Sequence, residues 1–156
     1  MRLMKTGTLE IRDFFGDQIP KYAILSHTWG EEETTLQDMQ LIALKRQQHH
    51  FMHKLGYLKV KSACNSALAE GYEWVWVDTC CIDKTSSADL SEAINSMYLW
   101  YKAAAVCYVY LADYLQSASD RLLEKSRWFT RGWTLQELIA PACVEFYDGA
   151  WKRMGT

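Results

Sequence analysis

The sequence predicts an α/β domain: a mostly parallel sheet of about four to five strands with helices on both faces. Three observations predict it. Apolar runs at 22–26, 74–78, 104–111 and 143–147 have the length and composition of buried strands. Segments of helical periodicity separate them, and strands that alternate with helices pair in parallel. The chain has 156 residues, 49% of them hydrophobic, which suits one domain around one core.

In chain order, residues 1–19 alternate weakly and read as an N-terminal arm or edge strand through Leu9, Ile11 and Phe14, with a turn at Gly16 and Asp17. Residues 20–156 form the single globular domain. The run at 22–26 enters His27, Thr28, Trp29 and Gly30 and then three acids, Glu31 to Glu33. In open α/β sheets ligands bind where strands end, so Ser26, His27, Trp29 and Gly30 are pocket-rim candidates, against the plainer reading of a strand-to-helix turn. Residues 34–44 read as a short helix. His49 and His53 have a helical metal spacing, but no third ligand follows, and a metal site is not expected. Residues 54–70 read as a helix with an apolar stripe of Leu55, Leu58, Ala63, Ala67 and Leu68, closed by Gly71. The strand at 74–78 ends in Asp78, Thr79, Cys80, Cys81, Ile82 and Asp83, a second set of polar groups at a strand end. Asp78 suits ribose hydroxyls or anchors a neighbouring loop; Asp83 does the same or caps a turn. Residues 88–102 carry Leu90, Ile94, Met97, Tyr98 and Tyr101 at helical spacing. Residues 112–125 read as a polar loop and a further helix, and Asp148-Gly149 as a turn after the fourth strand.

The stretch 126–141 reads as a helix stopped at Pro141, with Thr130 as its N-cap. Leu135, Leu138 and Ile139 share a face expected in the core, while Trp133 and Glu137, four apart, sit together on another. An acid beside a Trp and close to Arg131 is expensive near a core unless it is used or paired. A capping box between Thr134 and Glu137 leaves too short a helix before Pro141.

A net charge of −2 argues against broad phosphate-backbone binding, hence against a nucleic-acid partner. No apolar run reaches the roughly 18 residues of a membrane span. Five cysteines without a C-x-x-C pair make a poor disulfide framework and suit a reducing, cytoplasmic setting.

Three motifs carry a resemblance: Tyr22-Ala-Ile-Leu-Ser-His-Thr-Trp-Gly30, Trp76-Val-Asp-Thr-Cys-Cys-Ile-Asp-Lys84, and Ser126-Arg-Trp-Phe-Thr-Arg-Gly-Trp-Thr-Leu-Gln-Glu-Leu138. With Lys54-Leu-Gly-Tyr-Leu-Lys59 and residues 92–101 they resemble a fungal heterokaryon incompatibility (HET) domain, over about residues 20–151. The resemblance is closest to the type at the N-terminus of NACHT or STAND receptors. It implies a cytoplasmic cell-death effector of non-self recognition. HET domains are in turn similar to Toll/interleukin-1 receptor (TIR) domains, with a flavodoxin-like sheet, and many TIR domains cleave NAD with a glutamate. That similarity puts the catalytic role on Glu137. Ser26 and the loop after Asp78 would correspond to the TIR pocket walls, and with the strand-end and neighbouring residues the expected substrate-binding set is Ser26, His27, Trp29, Gly30, Asp78, Cys81, Asp83, Arg131 and Trp133. NAD or a related nucleotide is then the substrate and no cofactor is needed; a homo-oligomeric active form is expected. The TIR cysteine is replaced by Thr134, and the loop after Asp78 has its own sequence. Two other readings stand beside this one: a non-catalytic self-assembling signalling module, and a cysteine hydrolase pairing Cys80 or Cys81 with His27.

Overall fold

The computed structural model describes residues 1–44, 51–117 and 122–156. His49 and part of the helix expected within 112–125 lie outside the described residues. The chain forms β1 (Arg2–Lys5), β2 (Ile11–Asp13), β3 (Ala23–His27), α1 (Leu36–Ala43), α2 (Leu55–Ala69), β4 (Trp74–Trp76), a single turn α3 (Asp78–Cys81), α4 (Ser87–Ala103), β5 (Val106–Tyr110), α5 (Thr134–Ile139), β6 (Val144–Tyr147) and β7 (Arg153–Gly155). Short 3-10 turns at Gly16–Gln18, Leu123–Lys125 and Arg127–Thr130 complete the described elements.

The sheet has seven strands in the order β2-β1-β4-β3-β5-β6-β7. The four strands read from the sequence are the parallel ones, β4-β3-β5-β6. Their order, second-first-third-fourth, is that of flavodoxin-like doubly wound sheets. The three further strands are antiparallel: β1 and β2 on one edge, β7 on the other. They are short and weakly alternating, which is why the sequence signal for them was slight.

Side chains alternate across the sheet. Ile24, Ser26, Trp76 and Cys107 point to the face of α4 and α5. Trp76 packs on Trp100 and Tyr101 of α4, and the Cys107 thiol points to the Glu137 carbonyl. Leu25, His27 and Tyr108 point to the opposite face, where Tyr108 donates to Glu70 at the end of α2. Local rules explain the helix ends. Thr35 and Asp38 form a capping box on α1, Ser86 caps α4, and α2 closes on Gly71 at φ +83°.

Three apolar stripes are not where helical spacing put them. In α2 the buried set is Gly56, Tyr57, Lys59, Val60, Ala63, Cys64 and Ala67, while Leu55, Leu58 and Leu68 are exposed. In α4 only Ala93 and Tyr101 are fully buried, leaving Leu90, Ile94, Tyr98 and Leu99 at the surface. The stretch 126–141 is not one helix capped by Thr130 but a 3-10 turn followed by α5. That helix buries Thr134 and Glu137 and exposes Leu135 (67%), Leu138 and Ile139 (62%). The reason in α2 is close approach. The Gly56 amide donates to the Glu32 carbonyl, and a Cβ there would stand 2.3 Å from that oxygen and 2.7 Å from Glu33 Cα. The face that carries Gly56 is therefore turned inward, with Val60, Ala63, Cys64 and Ala67 along it.

Gly56→Ala meets rigid backbone, so the variant is expected to lose about 2–3 kcal/mol of stability. A urea titration followed by circular dichroism checks it; an unchanged midpoint refutes the packing account.

Candidate functional site

The last two residues of β3 face opposite ways and organise two buried polar clusters at the carboxyl ends of the parallel strands. β3 and β5 lie side by side here, on either side of the point where the strand order reverses, which is the ligand crevice of such sheets.

The first cluster is on the α5 face. Glu137 is 3% exposed. Ser26 Oγ donates to its Oε2 at 2.6 Å. Arg131 donates in bidentate fashion, Nη1 to Oε2 at 2.9 Å and Nη2 to Oε1 at 3.2 Å. The Trp128 indole lies 2.7 Å from Ser26 Oγ. Trp128 sits in the 3-10 turn because Ser126 caps it: Ser126 Oγ accepts from the Trp128 amide and donates to Asp113 at 2.7 Å. Thr134 donates to the Trp128 carbonyl, tying the turn to the first residue of α5. The polar face of α5 is thus drawn inward by named partners, and its aliphatic residues are turned out.

The second cluster is on the α2 face. His27 Nε2 is 2.8 Å from Asp78 Oδ1, and the Trp29 indole donates to Asp78 Oδ2 at 2.7 Å. Burial opposes ionisation of Asp78, but the His27 ring, both hydrogen bonds and the Lys84 ammonium outweigh it and hold the carboxyl down at about 2. Lys84 lies 3.3 Å over the Trp29 ring, which is half exposed. Glu33, paired with the buried Lys59, accepts the Gly30 amide at 2.6 Å, and His27 Nδ1 lies 3.9 Å from it without a hydrogen bond. The two clusters flank one strand end. The Tyr101 phenol, pushed well up by burial and then by Glu137, also feels Asp78 and Arg131.

The structure therefore brings Ser26, Arg131 and Glu137 together, and separately His27, Trp29, Gly30 and Asp78. Trp133 starts α5 half exposed, beside Glu137 in sequence spacing but not hydrogen-bonded to its carboxylate. Cys81 joins neither cluster: its sulfur accepts the Val77 amide in the core. Asp83 caps its own loop, accepting from Thr85 and from Gln37. The cysteine hydrolase reading finds no activated thiol. Burial raises Cys80 well above its ordinary range and Cys81 to about 12, and the Cys80 thiol donates to the Thr34 carbonyl. Sequence reasoning missed Trp128, Glu33 and Lys59. Trp128 lay inside a quoted motif, and only its donor-only indole N–H marked it as needing a partner. Among the described residues no cluster of three or more His, Cys, Asp or Glu is arranged to hold a metal ion. No described helix is long and apolar enough to cross a membrane.

Comparison with known proteins adds two findings. Residues 22–123 match the family model "Heterokaryon incompatibility protein (HET)". That stretch contains Ser26, His27 and Asp78 but ends before α5. The chain is also 46% identical, over 169 aligned positions, to the vegetative incompatibility protein HET-E-1 of Podospora anserina; the alignment covers 99% of this chain and 12% of that protein. The chain thus spans about an eighth of the relative's length. No solved structure matches it.

The depressed Asp78 carboxyl makes a signed prediction. Its folded value, about 2, lies below the ordinary 3.8, so its contribution is present above pH 4 and is lost as pH falls towards 2. Asp78→Asn is expected to cost roughly 2 kcal/mol at neutral pH, with the gap to the native chain narrowing below pH 4. Parallel denaturant titrations from pH 7 to 2.5 measure it; a gap independent of pH contradicts the assignment.

Proposed function

Because this chain belongs to the heterokaryon incompatibility (HET) family, we propose that it is a cell-death effector domain of fungal non-self recognition that acts as a TIR-like NAD glycohydrolase. The observation that carries the chemistry is the position of Glu137. It is a buried carboxylate at the carboxyl edge of a doubly wound sheet, held by Ser26 and Arg131 beside the strand-order reversal.

One such acid suffices for this reaction. Most glycosidases need a second carboxyl group to protonate a poor leaving group. The nicotinamide of NAD leaves as a neutral ring from a cationic one, taking both electrons of the C1′–N bond. What remains is to stabilise positive charge on the ribose and admit water to C1′. A fixed carboxylate does the first. Trp29, half exposed, and Trp133 are the rings available for stacking, and Arg131 is the cation nearest the acid. The proposed setting is cytoplasmic, as the N-terminal part of a longer NACHT or STAND receptor, with a homo-oligomer as the active form. The small share of HET-E-1 that the chain covers supports a longer protein.

A second reading, a self-assembling module without catalysis, is favoured by a different observation. Glu137 is already ion-paired to Arg131, and α4 and α5 show Leu90, Ile94, Leu99, Leu135 and Ile139 to solvent.

The chain, free and artificially clustered, is incubated with NAD while nicotinamide release is followed. Release is expected, and Glu137→Gln is expected to lower it at least 100-fold. Release unaffected by the substitution removes Glu137 from the chemistry. No release in any clustered state, with native circular dichroism, decides for the module.

A further inference from the structure

We propose that Trp128 is a positioning residue for Glu137 and acts through Ser26. Its consequence for catalysis rests on the glycohydrolase reading; the arrangement itself does not.

The donor polarity of this chain of groups is fixed by chemistry alone. An indole N–H only donates, so across the 2.7 Å between them Ser26 Oγ accepts from Trp128. A serine hydroxyl has one hydrogen, and its other close partner is Glu137 Oε2 at 2.6 Å. Arg131 Nη1 donates to that same oxygen, so Oε2 acts as acceptor in both contacts. The order is Trp128 to Ser26 to Glu137, with no alternative rotor. Without the indole N–H, Ser26 Oγ loses the second anchor that fixes its position and is held by the Glu137 carboxylate alone.

Trp128 is itself held at several points. Its amide and carbonyl are bonded to Ser126 and Thr134, and its ring meets Phe129 and Phe146 edge-on at 4.9 and 5.9 Å. It is fully buried. A rigid aromatic residue thus fixes the place of the Ser26 oxygen, and that hydroxyl in turn holds one carboxylate oxygen. The two oxygens of Glu137 become unequal. Among the described residues, Oε2 takes two donors, Ser26 and Arg131, while Oε1 takes only the longer Arg131 contact. Oε1 keeps a lone pair free and is the oxygen assigned to the substrate ribose. Ser26, expected to line the pocket, serves the acid instead.

Trp128→Phe keeps an aromatic ring and deletes the donor. In the whole chain, with glutamate side chains labelled with carbon-13, the Glu137 Cδ resonance is expected to move, and kcat for nicotinamide release to fall about tenfold with KM within twofold. On a Ser26→Ala background, Trp128→Phe is expected to add nothing to either readout. A Glu137 resonance that stays in place, or effects of the two substitutions that add in full, overturns the proposal. Should Trp128→Phe not fold, Ser26→Ala alone decides through the Trp128 indole N–H. Its resonance must shift and lose protection from exchange, and an unchanged resonance refutes the relay. If the native chain releases no nicotinamide, the glycohydrolase reading falls while the carbon-13 shift and its double-mutant cycle still judge the relay.

Discussion

The ion pair between Glu137 and Arg131 is the interaction on which the arrangement of this domain turns. A carboxylate that is 3% exposed loses several kcal/mol of hydration, and only hydrogen-bonded partners offset that. Here there are three contacts, two from Arg131 and one from Ser26. Taking away a partner of such a buried pair typically costs about 3–5 kcal/mol, because the remaining charge stays buried and uncompensated. That penalty exceeds what α5 gains by hiding one leucine, about 1.5–3 kcal/mol. A six-residue helix has too little surface to bury both faces. It buries the acid and Thr134 and leaves Leu135, Leu138 and Ile139 outside.

The sheet sets where this pair can form. β3 is central, flanked by β4 and β5, and its last two residues fall at the reversal of strand order. Strand alternation sends Ser26 to the α5 face and His27 to the α2 face. One strand end therefore anchors two separate polar clusters, each closed by a loop from a different crossover. The Asp78 carboxyl arrives after β4 and fixes His27 and Trp29; the Glu137 carboxylate arrives after β5 and meets Ser26. The two share Tyr101 as an electrostatic neighbour. Both acids stand near the crevice, but Asp78 spends its oxygens on an imidazole and an indole, whereas Glu137 keeps one oxygen less engaged.

Much of this was legible in the sequence, for physical reasons that also mark the limits. The four parallel strands are buried on both faces, so they read as continuous apolar runs. Gly71 closes α2 at a positive φ, and α5 stops ahead of Pro141, although Ala140 itself keeps helical angles (φ −78°, ψ −42°) against the usual preference of a residue before proline. Ser26, His27 and Asp78 were legible as polar groups at the ends of buried strands, where open α/β sheets place their crevice. What failed was the inside of the helices. Periodicity assigns an apolar stripe to the core, but in α2 the tight contact of Gly56 with the Glu32–Thr34 backbone turns the Gly56 face inward and leaves Leu55, Leu58 and Leu68 outside. In α5 a buried acid overrides the stripe altogether. β1, β2 and β7 were faint because antiparallel strands of three or four residues at and beside the sheet edges show almost no alternation. Cys81 and Asp83 lay in the right motif, but α3 turns one into the core and Asp83 caps the adjoining loop, a distinction that linear order does not hold.

The enzymatic and the assembling readings begin from the same ion pair and part on Arg131. A carboxylate neutralised by a guanidinium has little field left for a developing oxocarbenium charge. Catalysis therefore requires that Arg131 give up part of its grip when substrate arrives, and an anionic dinucleotide offers a guanidinium an equivalent bidentate partner. Arg131 is suited to that exchange, since its side chain retains 20% exposure while that of Glu137 retains 4%. Ser26 is not, since it is fully buried and fixed by Trp128. One partner of the acid is exchangeable and the other permanent. A purely structural ion pair has no need of that asymmetry, whereas the proposed glycohydrolase reading depends on it.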